Sequence, residues 1–233
     1  MLDVAKIKAL SFDLDDTLWP IWPTIERAEE ALRAWLVEHA PKTATLLASP
    51  GARREIRDQV EAQKPEWKHD LSSLRRESIR VTLERAGESP LLADAAFDVF
   101  FSARQRVTLY DDSRGALEFL SARFPLVSVS NGNADIERVG LSGYFRAAIS
   151  AREFGVGKPD PSIFVAAASA LGVAPEHVLH VGDDATLDAL GALNAGMQCA
   201  WLNRADHLWP HEATPHLTVS NLDELCAVFR EQP

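Results

Sequence analysis

Cysteine is scarce in this chain, and its scarcity excludes several classes of protein. Only two of the 233 residues are cysteine, Cys199 and Cys226, and their separation matches neither a metal-binding nor a redox spacing. A small secreted domain held together by disulfides needs more cysteines than this. We therefore expect both thiols to be reduced and to lie in a hydrophobic core.

Positive charge is also in short supply. The chain has 24 lysines and arginines against 34 aspartates and glutamates, a formal net charge of −10. Surfaces that bind nucleic acid or anionic membranes need an excess of positive charge. We therefore expect neither nucleic acid nor a membrane among the partners.

Long apolar runs are missing from the sequence. No stretch approaches the roughly 20 apolar residues that span a bilayer, and no basic segment followed by an apolar core marks a secretory signal. The sequence therefore predicts a cytoplasmic protein. Its 233 residues are enough for one α/β core and one smaller domain.

The most informative segment of the chain is a short apolar run that ends in acidic residues. Residues 7–12 are apolar with one polar interruption, a pattern that predicts a strand buried on both faces of a parallel sheet. Asp13, Asp15 and Thr17 follow directly, and parallel sheets bind their ligands beyond the carboxyl ends of the strands. Taken alone, the motif also fits an ordinary Asp-rich turn.

Two later segments carry polar groups suited to an anion. A second apolar run ends in Ser130, Asn131 and Gly132, whose hydroxyl, amide and flexible backbone are hydrogen-bond donors for a phosphate oxygen. The same three residues also form common turns. Lys158 lies in a Gly-Lys-Pro sequence ahead of a predicted helix over 162–171, although a lone lysine is more often a solvated charge.

A fourth segment repeats the pattern of the first. The apolar run over 177–182 ends in Gly182, and Asp183, Asp184 and Asp188 follow. Acidic residues at the start of a helix stabilise it through the helix dipole by a few tenths of a kcal/mol to about 1 kcal/mol. That explanation accounts for one of the three acids more readily than for all of them.

Taken together and in this order, the four segments resemble the motifs of the haloacid dehalogenase-like hydrolase superfamily. The resemblance implies that Asp13 is a nucleophile that forms an aspartyl-phosphate. Asp15 would protonate the leaving group and then deprotonate the attacking water. Ser130 and nearby backbone N–H groups would hold the phosphoryl oxygens, and Lys158 would neutralise charge on Asp13 and on the phosphoryl group.

The resemblance also implies a magnesium ion, because two carboxylates and a phosphate would otherwise repel one another. Asp13, the backbone carbonyl of Asp15, and Asp183 would hold the ion, with Asp188 close behind them. Asp184 has no firm role and is a candidate partner for Lys158.

Asp15 discriminates between two reactions of the superfamily. Its dehalogenases have a non-acidic residue at this position, because a halide leaves without a proton, whereas an alkoxide leaving a phosphate ester needs one. The acid therefore favours a phosphatase over a 2-haloacid dehalogenase. A catalytically silent binding module is a third interpretation. The intact motif residues argue against it: Asp13, Asp15, Lys158 and Asp183.

The chain between the first two motifs has a different character. Apolar periodicity predicts helices over 24–38, 51–63, 71–86 and 91–106, with prolines as breaks between them. This stretch resembles the helical cap that one subgroup of the superfamily inserts after its first motif. We therefore expect residues 1–17 and 108–233 to form a Rossmann-like catalytic core and residues 18–107 to form a small all-helical cap domain.

The rest of the sequence alternates strands and helices, as an α/β fold with a parallel sheet requires. Further strands are predicted over 147–150, 198–202 and 217–220, and a closing helix over 221–230. A capped enzyme of this kind should act on a small phosphorylated metabolite, because its lid closes over the substrate. The sequence makes no prediction of the oligomeric state.

A narrower resemblance concerns the substrate. The segments around Asn131 and Asp183 resemble those of bacterial members that dephosphorylate flavin mononucleotide and the ribitylamino-pyrimidine phosphate of riboflavin synthesis. Trp19 and Trp22 follow the catalytic loop and would either stack on such a flat substrate or pack a hinge. A sugar phosphate or a nucleotide is the alternative substrate.

Overall fold

The computed structural model describes residues 1–230, which form two compact units. One unit consists of Met1–Pro20 and the chain from Thr108 onward, and the other consists of Ile21–Val107. The division falls three residues later than the expected boundary at residue 17, so that Leu18, Trp19 and Pro20 belong to the first unit. Each unit has its own hydrophobic core.

The first unit is built on a parallel sheet. Its described residues contain six strands: β1 Ala9–Phe12, β2 Leu126–Ser130, β3 Ala147–Ser150, β4 Val178–Gly182, β5 Gln198–Leu202 and β6 Leu217–Val219. The strand order is β3-β2-β1-β4-β5-β6, and every neighbouring pair is parallel. This is the order of a Rossmann-like fold, and the predicted α/β class is confirmed.

The sheet order brings the first and fourth motifs together. The order of connection reverses between β1 and β4, which lie side by side with Ser11 paired to His180 and Phe12 paired to Val181. A crevice opens beyond the carboxyl ends of the strands at such a reversal. The residues that follow β1 and β4 therefore lie next to each other.

Helices alternate with these strands along the first unit. The α-helices within residues 1–230 are α1 Ile21–His39, α2 Pro41–Leu47, α3 Pro50–Gln63, α4 Leu71–Arg85, α5 Ala93–Arg104, α6 Ser113–Ser121, α7 Ile136–Val139, α8 Ala151–Phe154, α9 Pro161–Ala170, α10 Gly191–Asn194 and α11 Leu222–Arg230. Short 3₁₀ turns cover Val4–Lys6, Pro65–Trp67, Pro90–Leu92, Ser142–Tyr144 and Pro175–His177. A turn of π-helix, Ala185–Leu190, precedes α10.

The core of the first unit lies between the sheet and its helices. Strand residues such as Val127 and Val178 pack there with Ile163 and Phe164 of α9. Both predicted core cysteines, Cys199 and Cys226, are buried free thiols. Every residue of the strands β1, β2, β4 and β5 is buried. This burial on both faces explains why their sequences are apolar runs without alternation.

The second unit is helical throughout its described structure, as its periodicity predicted. Helix α1 buries Ala28, Leu32 and Leu36 on one face, spaced four residues apart as a helix stripe requires. Helix α2 was not predicted, because Pro41 was interpreted as a break. Proline is favoured in the first helical turn, where no N–H is needed, and Pro41 begins this helix. Among the described residues, no helix has the length and apolar character needed to cross a membrane.

Candidate active site

Asp13 lies directly beyond the last residue of β1. Its backbone N–H donates to the carbonyl of Val181 at 2.9 Å, a bond that continues the ladder between β1 and β4. Asp13 as a residue is only 6 % exposed. The strand therefore delivers a nearly buried carboxylate to the crevice between the two strands.

Lys158 joins two of these carboxylates. Its ammonium group donates to Oδ1 of Asp13 and, at 2.5 Å, to Oδ1 of Asp188. All three side chains are less than a tenth exposed. Asp184 was a candidate partner of Lys158, but in the structure its carboxylate has other partners. The Asp184 carboxylate accepts from the backbone N–H groups of Thr186 and Leu187 at 2.8 and 2.7 Å, where it caps the π-helical turn.

Asn131 holds the backbone of Lys158 in place. The Lys158 N–H donates to Oδ1 of Asn131 at 2.7 Å, and Nδ2 of Asn131 donates to the Lys158 carbonyl at 2.8 Å. Gly157 leaves room for this clamp, because a Cβ there would lie 2.7 Å from Oδ1 of Asn131. The second motif thus supports the lysine of the third, a contact that the sequence analysis did not predict.

Gly182 has an equivalent function beside Asp188. A Cβ at Gly182 would lie 2.5 Å from Cβ of Asp188, closer than two carbons can approach. The other oxygen of Asp188, Oδ2, accepts from the backbone N–H of Asp184 at 3.1 Å. The glycine that ends β4 is therefore required by the carboxylate six residues later.

A buried histidine completes the surroundings of Asp188. Nε2 of His180 lies 3.1 Å from Oδ1 of Asp188, and Nδ1 lies 2.8 Å from Oγ of Ser11. Burial lowers the pKa of His180, so the ring is neutral. Because a carboxylate only accepts, the ring proton is on Nε2, and Nδ1 accepts from the Ser11 hydroxyl. The sequence motifs assign His180 no role in the site; the signal that could have found it was one polar residue in each of two otherwise apolar strands.

The charges of the site are strongly coupled. Burial raises the pKa of Asp13, with Lys158 opposing and Asp188 and Asp183 adding to the rise. Burial and then the charge of Asp188 raise the pKa of Asp183 to about 7. Burial alone would raise the pKa of Asp188, but Lys158 and His180 lower it to about 2. Burial also opposes the charge of Lys158, but its two carboxylate partners prevail and raise its pKa.

These carboxylates fit a divalent cation. Asp13, Asp183 and Asp188 each offer an oxygen, and the three atoms lie within 4.8 Å of one another. Hard cations such as Mg²⁺ prefer oxygen ligands of this kind. A bound cation would also offset the burial and mutual repulsion that raise the pKa values of Asp13 and Asp183.

The loop after β1 folds back on itself. The indole N–H of Trp19 donates to Oδ1 of Asp15 at 2.7 Å, and the Trp19 ring is fully buried. The hydroxyl of Thr17 donates to Oδ1 of Asp183 at 3.1 Å. Arg204 donates to the carbonyl of Thr17 at 3.1 Å and is itself held by both carboxylate oxygens of Asp112.

Several residues expected to contact substrate thus have partners within the protein. Thr17 and Trp19 support Asp183 and Asp15, and Asn131 supports Lys158. The N–H of Gly132 donates to Oγ of Ser130 at 3.0 Å, which leaves the Ser130 hydroxyl hydrogen for another acceptor. Contacts of these residues with substrate remain predictions.

Comparison with known proteins identifies the family of this chain. The model of the haloacid dehalogenase-like hydrolases matches residues 7–196. This chain belongs to the haloacid dehalogenase-like hydrolase family. The family predicted from the four motifs is therefore confirmed, and with it the interpretation of the chain as a hydrolase.

Individual relatives of this haloacid dehalogenase-like hydrolase include phosphatases and a dehalogenase. The 5-amino-6-(5-phospho-D-ribitylamino)uracil phosphatase YigB of Escherichia coli (strain K12) is 33% identical over 234 residues, 97% of this chain and 98% of that protein. A phosphoserine phosphatase of Thermus thermophilus is 36% identical over 152 residues, 63% of this chain and 61% of that protein. A structure described as a 2-haloacid dehalogenase from Pseudomonas syringae pv. Tomato DC3000 is 39% identical with a TM-score of 0.90, covering 96% of this chain and 98% of that one.

Proposed function

We propose that this chain, a phosphoric monoester hydrolase of the haloacid dehalogenase-like family, removes phosphate from a small metabolite through an aspartyl-phosphate on Asp13. The observation that carries the proposal is the buried Asp13 carboxylate beside Lys158, Asp183 and Asp188, with a second acid at Asp15. An attacking carboxylate, a cation site and an acid/base are the groups that this reaction requires.

In the first step, an oxygen of the Asp13 carboxylate attacks phosphorus while the bond to the leaving oxygen breaks. Lys158 holds the Asp13 carboxylate in place from one side and offsets the negative charge of that carboxylate and of the transferring phosphoryl group. The Ser130 hydroxyl, whose oxygen already accepts from Gly132, donates its hydrogen to an oxygen of the transferring phosphoryl group. These are fixed donors aimed at charge in the transition state, the type of contribution that is usually largest in enzymes.

Asp15 carries the proton in both steps. It gives a proton to the leaving alkoxide, and in the second step it takes one from the water that attacks phosphorus and releases Asp13. Proton delivery favours a phosphate ester over a haloacid, whose halide leaves unprotonated. Asp15 is therefore the residue that supports phosphatase chemistry even though the Pseudomonas syringae structure is described as a dehalogenase.

Magnesium is the cation that suits the site best. Asp13, Asp183, Asp188 and the backbone carbonyl of Asp15 would supply oxygen ligands, with Asp188 shared with Lys158. When bound, Mg²⁺ supplies charge neutralisation for the phosphate among these carboxylates.

The relatives and the helical unit support a proposal for the substrate class. The E. coli relative, which is similar over nearly its whole length, is named for a riboflavin-pathway phosphate, and this supports that phosphate or flavin mononucleotide as substrate. The helical unit at residues 21–107 would act as the cap that restricts the site to small molecules. A sugar phosphate or a nucleotide is the second candidate, and the variety of phosphatases among the relatives keeps it in consideration.

The first experiment measures hydrolysis of p-nitrophenyl phosphate with and without Mg²⁺, for the wild type and for Asp13→Asn. We expect Mg²⁺-dependent turnover in the wild type and its loss in the variant, since an amide is a poor nucleophile. Asp223→Asn, an exposed acid on α11, is the matched control and should turn over as the wild type does. Asp13→Asn activity within about tenfold of the wild type would contradict the assignment, because one lost transition-state interaction usually costs more.

The second experiment identifies the substrate class. The wild type is assayed with 5-amino-6-(5-phospho-D-ribitylamino)uracil, flavin mononucleotide, a sugar phosphate, a nucleoside monophosphate and a 2-haloacid. We expect kcat/KM to be highest for one of the first two. Release of halide with no release of phosphate would refute the phosphatase assignment, and no turnover with any divalent ion would favour a binding module.

A further inference from the structure

The hydrogen bond between Trp19 and Asp15 is the feature from which we draw a new inference. The indole N–H donates to Oδ1 of Asp15 at 2.7 Å, and Trp19 is among the largest fully buried side chains of the chain. A buried indole N–H needs an acceptor, and a carboxylate is a stronger one than a carbonyl. The contact therefore joins a rigid buried ring to the acid/base of the proposed reaction.

The backbone of the loop is shaped to make this contact. Asp16 adopts a left-handed conformation with φ 59°, which aspartate tolerates better than most residues. The chain then turns back, so that the Asp16 N–H donates to the Trp19 carbonyl at 2.7 Å and Asp15 pairs with Trp19 as an isolated bridge. A single left-handed residue thus places the indole beside the carboxylate four positions earlier.

The rest of the first unit fixes the turn. The carbonyl of Leu18 accepts from the Tyr110 N–H at 3.0 Å and from the Ser113 hydroxyl at 2.8 Å. The Leu18 N–H donates to the Leu14 carbonyl at 2.8 Å. These bonds fix the backbone immediately before Trp19, so the donor that Trp19 presents to Asp15 is preorganised.

We propose that Trp19 is a positioning residue for Asp15. The indole holds Oδ1 and thereby orients the carboxyl group, and Oδ2 is the oxygen at which the proton is lost and gained. In the first step the Oδ2 proton passes to the leaving oxygen as its bond to phosphorus breaks. In the second step a proton of the attacking water passes to Oδ2 as phosphorus leaves Asp13. This inference rests on the proposed acid/base role of Asp15.

The proposal makes a prediction that simple packing does not. A misplaced acid slows only reactions whose leaving group needs a proton, whereas a loosened hydrophobic core slows all reactions together. An alkyl phosphate has a strongly basic leaving group and p-nitrophenyl phosphate a weakly basic one. The ratio of kcat values for the two substrates therefore separates positioning from packing.

The test replaces Trp19 by Phe, which keeps an aromatic ring and removes the N–H. We expect kcat for the alkyl phosphate to fall by about tenfold or more, part of the roughly 100-fold that a general acid contributes, with kcat for p-nitrophenyl phosphate within about twofold of the wild type. Trp209→Phe is the matched control, because its indole N–H donates to a backbone carbonyl, that of Ala213 at 2.8 Å, and its ratio should not change. Equal losses of Trp19→Phe on both substrates would overturn the proposal.

Two further arms keep the outcome decisive. Benzothienylalanine at position 19 replaces the N–H by sulfur in a ring of nearly the same shape, and it should reproduce the change in ratio if the Phe variant does not fold. An unchanged ratio with this residue overturns the proposal. Asp15→Asn is run beside it. If Asp15→Asn changes the ratio of kcat values and the Trp19 variants do not, the positioning role of Trp19 is refuted and the acid/base role of Asp15 is retained. If Asp15→Asn slows both substrates equally, the acid/base role of Asp15 is itself refuted.

Discussion

Replacement of Asn131 by Leu tests whether the second motif supports the lysine of the third. Leu has the branched shape of Asn but neither donor nor acceptor, so it removes both bonds to the Lys158 backbone, at 2.7 and 2.8 Å. Lys158 is only 6 % exposed, and water does not readily replace these partners. Each unpaired buried group costs about 1 to 3 kcal/mol, so the free energy of unfolding should fall by about 2 to 6 kcal/mol.

The measurement is differential scanning calorimetry of the full chain. A loss of 1 kcal/mol lowers Tm by about 2 to 4 °C in chains of this size, and we therefore expect Asn131→Leu to melt at least about 4 °C below the wild type. Asn194→Leu, at the exposed end of α10, is the control and should change stability by less than about 0.5 kcal/mol.

Activity gives a second readout of the same clamp. Without it the Lys158 ammonium group is less accurately placed against Asp13, and kcat should fall by about tenfold or more, since displacement by 1 Å can cost about 100-fold. Gly157→Ala should displace the Asn131 side chain, because the new Cβ would lie 2.7 Å from Oδ1 of Asn131. This variant should therefore lower kcat in the same way. Wild-type melting and wild-type kcat in Asn131→Leu would refute the reasoning.

Three other predictions concern the metal, the buried His180 and the ion pair between Arg204 and Asp112. EDTA should abolish activity and lower Tm, and Mg²⁺ should restore both. Ca²⁺ should restore activity poorly, because its coordination shell is larger and looser. Full activity in Ca²⁺ alone would contradict the proposed magnesium site. His180→Leu should reduce kcat by about tenfold, because Asp188 loses a hydrogen-bond donor and no longer holds Lys158 in a fixed position. His180→Gln keeps an N–H donor and should recover part of this loss. Equal losses of kcat in the two variants would mean that His180 only packs. Burial opposes ionisation of Asp112, but Arg204 and the Leu222 N–H lower its pKa. The ionised carboxylate therefore contributes its full stability above the pKa of unfolded Asp112, about 3.9, and this contribution is lost as the pH falls through the pKa of the folded state. The difference in unfolding free energy between wild type and Asp112→Asn should therefore be full at pH 6 and shrink below about pH 4, and a difference independent of pH would refute the ion-pair explanation.

The buried network around Asp188 explains how one lysine serves two carboxylates. Ser11 orients His180, His180 donates to Asp188, and Asp188 shares the ammonium group of Lys158 with Asp13. Breaking a buried charge pair by removing one member costs far more than the pair contributes. The network thus holds Lys158 charged and fixed beside Asp13, independently of any substrate.

Much of the architecture was determined by the sequence itself. Unbroken apolar runs predicted the buried strands, and the bounds of β3 and β5 agree with the prediction. Apolar residues at helical spacing predicted four of the helices in the second unit. These signals are local, because strand and helix periods and turn chemistry depend on residues a few positions apart. The four motifs could be recognised for the same reason, since each follows one strand or precedes one helix.

Only the tertiary structure decided which residues meet and what they do for one another. Ser11 reaches His180 across 169 positions because the strand order places β1 beside β4. Lys158 reaches Asp13 across 145 positions from the loop between α8 and α9. The Asn131 clamp and the indole bond of Trp19 depend on how two loops close, which involves backbone angles such as that of Asp16 rather than residue type. Asn131 and Trp19, which read as substrate ligands in the sequence, have hydrogen-bond partners within the fold, the backbone of Lys158 and the carboxylate of Asp15, and their contacts with substrate stay predictions. Such hydrogen bonds within the fold follow from strand register and loop closure over long separations, and no local pattern encodes those.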